Sequence, residues 1–222
     1  MRSARLIVLT LALGALVGTQ AEAQWNVARF GERSNIVYSS YGLDPAMVLT
    51  AGYGRVVPIF GHRFQFVVDG GMVMARADAN DFRARVGVRT ALLSWRSLAL
   101  TGNMAFVTRG TENSIYRGLN FGSEFALTAG VYRRGWFVAS EFGRDKDIIT
   151  HLTHSDWYRR YYYPQAKDGW YLNAGGTYSY GLTAGVALGR TEVVVRAGRL
   201  VTEKFDQMLP PMYASLGIGV GF

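Results

Sequence analysis

Two stretches of this sequence carry enough charge or nucleophile to do chemistry. The first holds Arg83, Arg85 and Arg89, three guanidiniums at even spacing. Residues two apart in an extended chain share a face, so all three point the same way. Cations on a confined wall either pair with carboxylates or stay hydrated and attract anions. Arg63 and Asp69, Glu124, Glu141, and Glu192 and Arg196 fall on the same face of their own alternating segments. The nine together read as an arginine–carboxylate network, with an anion-favouring wall as the competing reading. The second stretch, 149–168, gathers His151, His154, Asp156, Trp157, Arg159, Arg160, Tyr161 and Lys167. With Ser155 it supplies the residue types of a hydrolytic triad. Sequence neighbours in extended chain point apart, however, and no second motif or matching carboxylate pair occurs elsewhere. His151 and His154 could share a metal only across a helical turn. No catalytic residue, metal or cofactor is therefore assigned. The loop reads instead as a binding surface, its aromatics offering low-entropy contact and its arginines and Lys167 meeting phosphate.

The elements that must position these residues are strands. Period-two alternation recurs along the chain, and it is cleanest at the end. There Met212, Ala214, Leu216, Ile218, Val220 and Phe222 oppose Tyr213, Ser215, Gly217, Gly219 and Gly221. A solvated sandwich face would be rich in Lys, Glu and Thr. Here the second face is mostly Gly, Ser, Thr and Asn with isolated charges, which suits a confined lumen. Strands are expected at about 34–41, 46–57, 63–74, 82–93, 98–108, 117–132, 136–147, 170–188, 191–202 and 212–222. The first alternates poorly, so eight strands is the alternative to ten. Brief turns near Phe60-Gly61, Trp95-Arg96, Arg134-Gly135 and Gly189-Arg190 alternate with longer polar stretches at 75–81, 109–116, 149–168 and 203–211. That rhythm predicts a closed, antiparallel, up-and-down transmembrane β-barrel with short periplasmic turns and longer external loops. Tyr53, Phe60, Trp95, Trp136, Phe137 and Trp170 fall near strand ends, where an interfacial girdle would sit. Arg55 falls on the apolar face and must snorkel unless the register slips.

The start of the chain assigns a compartment. Arg2 and Arg5 precede an apolar run from Leu6 to Val17, broken only by Thr10 and Gly14, and Ala21-Glu22-Ala23 fits a signal-peptidase site. The run is shorter than the roughly 20 residues of a spanning helix, so residues 1–23 read as a cleaved leader and 24–222 as one barrel domain. Cysteine is absent, which excludes disulfides, thiolate metal sites and a lipid-modified cysteine. Basic residues number 24 against 16 acidic, for a net charge of +8. They are scattered rather than run together, which speaks against nucleic acid as a partner.

Leader, alternating segments and terminal aromatic together resemble the bacterial outer-membrane β-barrel superfamily over nearly the whole chain after the leader. In that superfamily a final strand ending in Phe is read by the barrel-assembly machinery, and Tyr213, Leu216, Ile218, Val220 and Phe222 match it. The resemblance implies an outer-membrane location and lipopolysaccharide contact through the external loops. It points to no functional subfamily, although some of its members are rim proteases or lipid A deacylases. The expected function is a structural or interaction barrel with a largely filled lumen and no enzymatic activity. A narrow, weakly anion-preferring pore is the alternative, and a rim hydrolase acting on lipid or peptide the second.

Overall fold

The computed structural model describes residues 26–43, 47–74, 80–172, 175–204 and 207–222. The leader lies outside the described residues, as do parts of the stretches at 75–81, 170–188 and 203–211. After a single 3-10 turn, Val27–Arg29, the chain forms β1 (Asn35–Leu43), β2 (Met47–Ile59), β3 (His62–Val73), β4 (Phe82–Trp95), β5 (Leu98–Glu112), β6 (Tyr116–Arg133) and β7 (Trp136–His154). A short helix α1 (Asp156–Tyr161) and a short strand β8 (Gly169–Leu172) lead to β9 (Gly176–Leu188), β10 (Thr191–Thr202) and β11 (Gln207–Gly221). All but β8 form one closed antiparallel barrel of ten strands, each paired with its chain neighbours, β7 being followed in the ring by β9. Closure is made by β1 on β11, where Asn35 and Phe222 exchange backbone hydrogen bonds of 3.1 and 2.9 Å.

The expected ten-strand up-and-down barrel is therefore the fold, with four corrections. The segment expected as one strand over 170–188 is two: β8 pairs with the upper part of β7, and β9 with the lower. The polar stretch 109–116 is mostly strand, since β5 and β6 stay paired to Glu112 and Arg117 and leave only residues 113–115 as connection. Likewise β11 begins at Gln207, inside the expected 203–211 loop, and β7 runs through His154, inside the expected 149–168 loop. Cross-strand pairing overrides polarity in each case, because a backbone already aligned gains a ladder bond at every further residue.

Burial alternates along the strands as the pleat requires. On β11 every residue from Tyr213 to Gly221 switches between buried and exposed. The first strand alternates less visibly in sequence because two of its inward residues, Ile36 and Tyr38, are large and pack with Phe30 of the N-terminal segment. Arg55 faces outward with no slip, since β2 pairs without a break to β1 and β3. Phe137, expected in the outer girdle, instead points inward at 1% exposure and stacks on Tyr132 at 5.3 Å. A Cβ added at Gly185, opposite Phe137 on β9, would lie 2.3 Å from that ring, so the glycine is what admits it.

Two-residue turns gather at one end. Phe60-Gly61 carries φ of 49° and 80°, the left-handed pair that matches the right-handed twist of a hairpin. Arg96-Ser97, Arg134-Gly135 and Gly189-Arg190 close the other three hairpins there. The opposite end carries α1, β8 and the remaining connections.

Candidate functional site

The inward faces of β3, β4, β5, β6 and β7 converge on one layer of paired charges. Asp69 accepts from Arg85 at both oxygens, 2.8 Å each, and from the Tyr38 hydroxyl at 2.7 Å. The other arm of Arg85 donates to Glu124 at 3.1 Å. Glu124 also pairs with Arg83 and with Arg109, the latter at 3.1 Å. Arg109 continues the chain to Asp145, to Asp147 at 3.4 Å and to the Asn120 side-chain oxygen at 3.0 Å. Across the lumen Glu141 takes Arg196 through both oxygens, one bond being 2.9 Å, and accepts from Tyr213 at 3.1 Å. Bidentate geometry and added hydroxyl donors help make such buried ion pairs tolerable, although Asp145 Oδ1 is buried without a hydrogen-bond partner among the described residues.

Two tyrosines reach this layer over glycines. Tyr38 on β1 crosses Gly52 on β2 to reach Asp69 on β3, and a Cβ at Gly52 would lie 2.5 Å from its ring. Tyr213 on β11 crosses Gly198 on β10 and Gly181 on β9 to reach Glu141 on β7.

Of the nine expected lumen residues, the structure joins Asp69, Arg83, Arg85 and Glu124 in one cluster and Glu141 and Arg196 in another. Arg89 is buried one level nearer the turns, opposite Gln65 and Asn103. Glu192 lies at the turn end, where it accepts from the Asn26 backbone N–H at 3.2 Å and from Arg29 at 3.3 Å. Arg63 is exposed there, its guanidinium lying against Gly31. Arg109, Asp145 and Asp147 belong to the network but were not among the expected nine. The signal was available: Glu141, Gly143, Asp145 and Asp147 continue one period-two run, as do Asn103, Ala105, Val107 and Arg109.

Above the layer the lumen opens into a cavity of about 830 Å3. Below it the barrel is packed. Thr101, Thr128 and the Tyr132 hydroxyl form a chain of 2.6 and 2.7 Å bonds, with Gln65 and Thr183 fully buried nearby. The N-terminal segment then enters from the turn end. Asn26 is buried and donates from its side chain to the Arg133 carbonyl, while Phe30 packs on Ile36 and Tyr38. Val27 touches both this cluster and the Tyr132–Phe137 cluster. A second cavity of about 30 Å3 lies beside the segment, and no residue lines both.

At the opposite end the expected loop is an ordered crown. Ser155 caps α1 by accepting from the Tyr158 N–H at 3.1 Å, and its hydroxyl donates to the Ser114 carbonyl at 2.6 Å. Asp168 accepts from the His154 backbone N–H at 2.8 Å, meets the His154 ring at 3.2 Å, and pairs with Arg159. The Arg159 guanidinium, and then the His154 N–H, hold the Asp168 carboxyl well below the usual carboxylate range. Glu203 is lowered in the same way by Lys146 and then Arg144. The two histidine rings part company: His151 lies edge-on to Trp170 at 4.9 Å, and His154 stacks on Tyr158 at 5.7 Å. Asp156 projects fully into solvent, with Arg159 3.8 Å away. Ser155, the histidines and Asp156 therefore do not converge on a reacting point. Trp157, Arg160, Tyr161 and Lys167 are exposed on the crown's surface.

In the final strand Leu216, Ile218, Val220 and Phe222 face outward, while Tyr213 belongs to the charged layer. No known protein-family profile matches the chain, and no curated protein matches it in sequence.

Proposed function

We propose that this chain is an exported outer-membrane barrel with a structural or interaction role, its lumen blind toward the turns and open as a cup toward the loops. The outward face supports lipid as its solvent. Val37, Phe66, Val86, Phe106, Leu182, Val195 and Ile218, from seven different strands, are all exposed. A soluble monomer seldom shows more than a few hundred Å2 of contiguous apolar surface, whereas this face runs round the barrel. The ten wall strands run from 9 to 19 residues, and about 9–11 suffice for a tilted strand to cross a bilayer. A closed sheet leaves no unpaired edge in hydrocarbon. On this reading the turns face the periplasm, the crown meets lipopolysaccharide or an external ligand, and the outward residues of β11 are presented to the assembly machinery.

The observation that carries the non-conducting reading is the packing of the lower half. The cup and the small cavity beside Asn26 share no lining residue, and the charged layer and the Tyr132–Phe137 packing stand between them. Planar-bilayer recording of the refolded protein, after a gel shift between unheated and boiled samples establishes closure, tests it. A heat-modifiable band with silent recordings is expected. Discrete anion-selective steps would overturn the reading and return Arg83, Arg85 and Arg89 to the role of a selective wall.

A further inference from the structure

We propose that the turn end carries a ring of arginines that grips the phosphates of anionic phospholipids in the leaflet facing the turns. The inference rests on the outer-membrane reading above.

Exposed arginines stand at four separate places round this end. Arg55 is on the outer face of β2, Arg96 in the β4–β5 turn, Arg133 and Arg134 beside the β6–β7 turn, and Arg190 in the β9–β10 turn. Little there neutralises them. Glu192 is buried beneath Asn26 and Arg29, and Glu32 is shared between Arg29 at 3.0 Å and Arg134 at 3.4 Å. Among the described residues Arg55, Arg96, Arg133 and Arg190 have no ion pair. At the loop end Arg144, Lys146 and Arg159 each have a carboxylate partner, although Arg160 and Lys167 on the crown have no ion pair among the described residues.

The surroundings of these cations point to lipid rather than to a soluble polyanion. Arg96 lies 5.2 Å over the ring of Trp95, and Arg133 5.7 Å over that of Trp136. Both indoles are exposed on the outer wall. An outward indole with a guanidinium on top sets the ring at the edge of the hydrocarbon and the charge at phosphate depth. Arg55 emerges from the apolar face itself, between Tyr53 and Val57, where only a headgroup within reach of its long stem would satisfy it. The arginines also encircle the barrel on four hairpins. A rod-like polyanion would meet one side of that ring, whereas separate headgroups can meet every hairpin. A guanidinium fork matches a phosphate at two oxygens, which distinguishes this contact from general surface attraction.

The test compares the mature protein refolded into phosphatidylcholine vesicles with the same vesicles containing phosphatidylglycerol, the readout being the temperature at which the heat-modifiable band is lost. The protein is expected to unfold several degrees hotter in the anionic vesicles. High salt, which shortens screening to about 3 Å at 1 M, should erase the difference. An Arg96→Gln, Arg133→Gln, Arg190→Gln variant should lose it while keeping its gel shift in phosphatidylcholine. Equal melting of the unaltered protein in both vesicles would overturn the proposal. So would an equal rise caused by inorganic phosphate in detergent at matched ionic strength, which would assign the ring to soluble anions. Insertion without lipid preference defeats this inference alone, while a chain that enters neither vesicle and stays folded in buffer defeats the membrane reading with it.

Discussion

Glu141 shows how a single side chain holds the middle of the lumen. It is buried, takes both arms of Arg196, and accepts from Tyr213, so its removal deprives a buried guanidinium of its bidentate carboxylate. Glu141→Ala is therefore expected to cost about 3–5 kcal/mol, read from the urea midpoint of refolded protein. Joint replacement of Glu141 and Arg196 by Leu and Met should recover most of that loss, because the burial of unpaired charge disappears with both partners. Failure of the double variant to recover would mean that the pair stabilises by attraction rather than by mutual satisfaction. That Glu141 and Arg196 face inward was legible from parity within their own strands. That they meet was not, since the contact joins β7 to β10 and depends on β9 lying between them. The reach of the tyrosines was hidden for the same reason: Tyr38 meets Asp69, and Tyr213, expected only in the terminal signal, meets Glu141, across intervening strands. The catalytic types in 151–156 were legible as types, but their dispersal follows from β7 persisting to His154 and from α1 taking Ser155 as its cap.

At the level of elements, the strands were legible wherever one face was distinctly apolar, and their ends were not. Polar residues such as Arg109 and Thr150 extend β5 and β7 because they have partners inside the lumen, a fact that local polarity conceals. The register shift opposite Phe121 and Gly122 adds a second obstacle. Ile148 is the extra residue, and past it the facing of β7 reverses, so Asp147 and Thr150 line the same cavity although three apart. Asn120 then reaches Thr150 at 2.8 Å. A bulge of this kind re-aims side chains and leaves no mark in an alternating pattern. The glycines between strands are the complementary device, being small where a neighbour's ring must cross. Gly52→Ala would set a methyl 2.5 Å from the Tyr38 ring and 2.6 Å from Asp69 Cβ. The expected loss is about 1–3 kcal/mol from overpacking. Placing the methyl in a Tyr38→Ala background, and comparing unfolding midpoints, should show a smaller increment, the remainder reporting the contact with Asp69 Cβ. Equal increments in both backgrounds would separate Gly52 from the tyrosine.

For the whole molecule the decisive contrast is between its two halves. Toward the loops the lumen holds a cup of about 830 Å3, whereas toward the turns it is filled by side chains and by the segment that begins at Asn26. Eight-stranded barrels are usually filled by side chains, and two further strands enlarge the interior, so here the chain itself supplies part of the filling. A largely filled lumen was expected, but the part played by 26–34 was not legible, because that stretch carries no alternation and shows its role only where Asn26, Val27 and Phe30 meet inward residues of several strands. A chain beginning at Ser34 is expected to keep its gel shift, since the barrel's ladder bonds begin at Ser34 and Asn35. On the closed-lumen proposal it should also show brief conductance events not expected of the longer protein; silence from both would assign the proposed seal to Gln65, Tyr132 and Phe137. A vessel with one mouth cannot sustain a flux. On the same proposal, whatever enters the cup leaves by the way it came, so its occupancy would follow the concentration on that side alone and be indifferent to any gradient across the wall. News of an occupant would then reach the turns as a change in the charged layer or its floor rather than as matter.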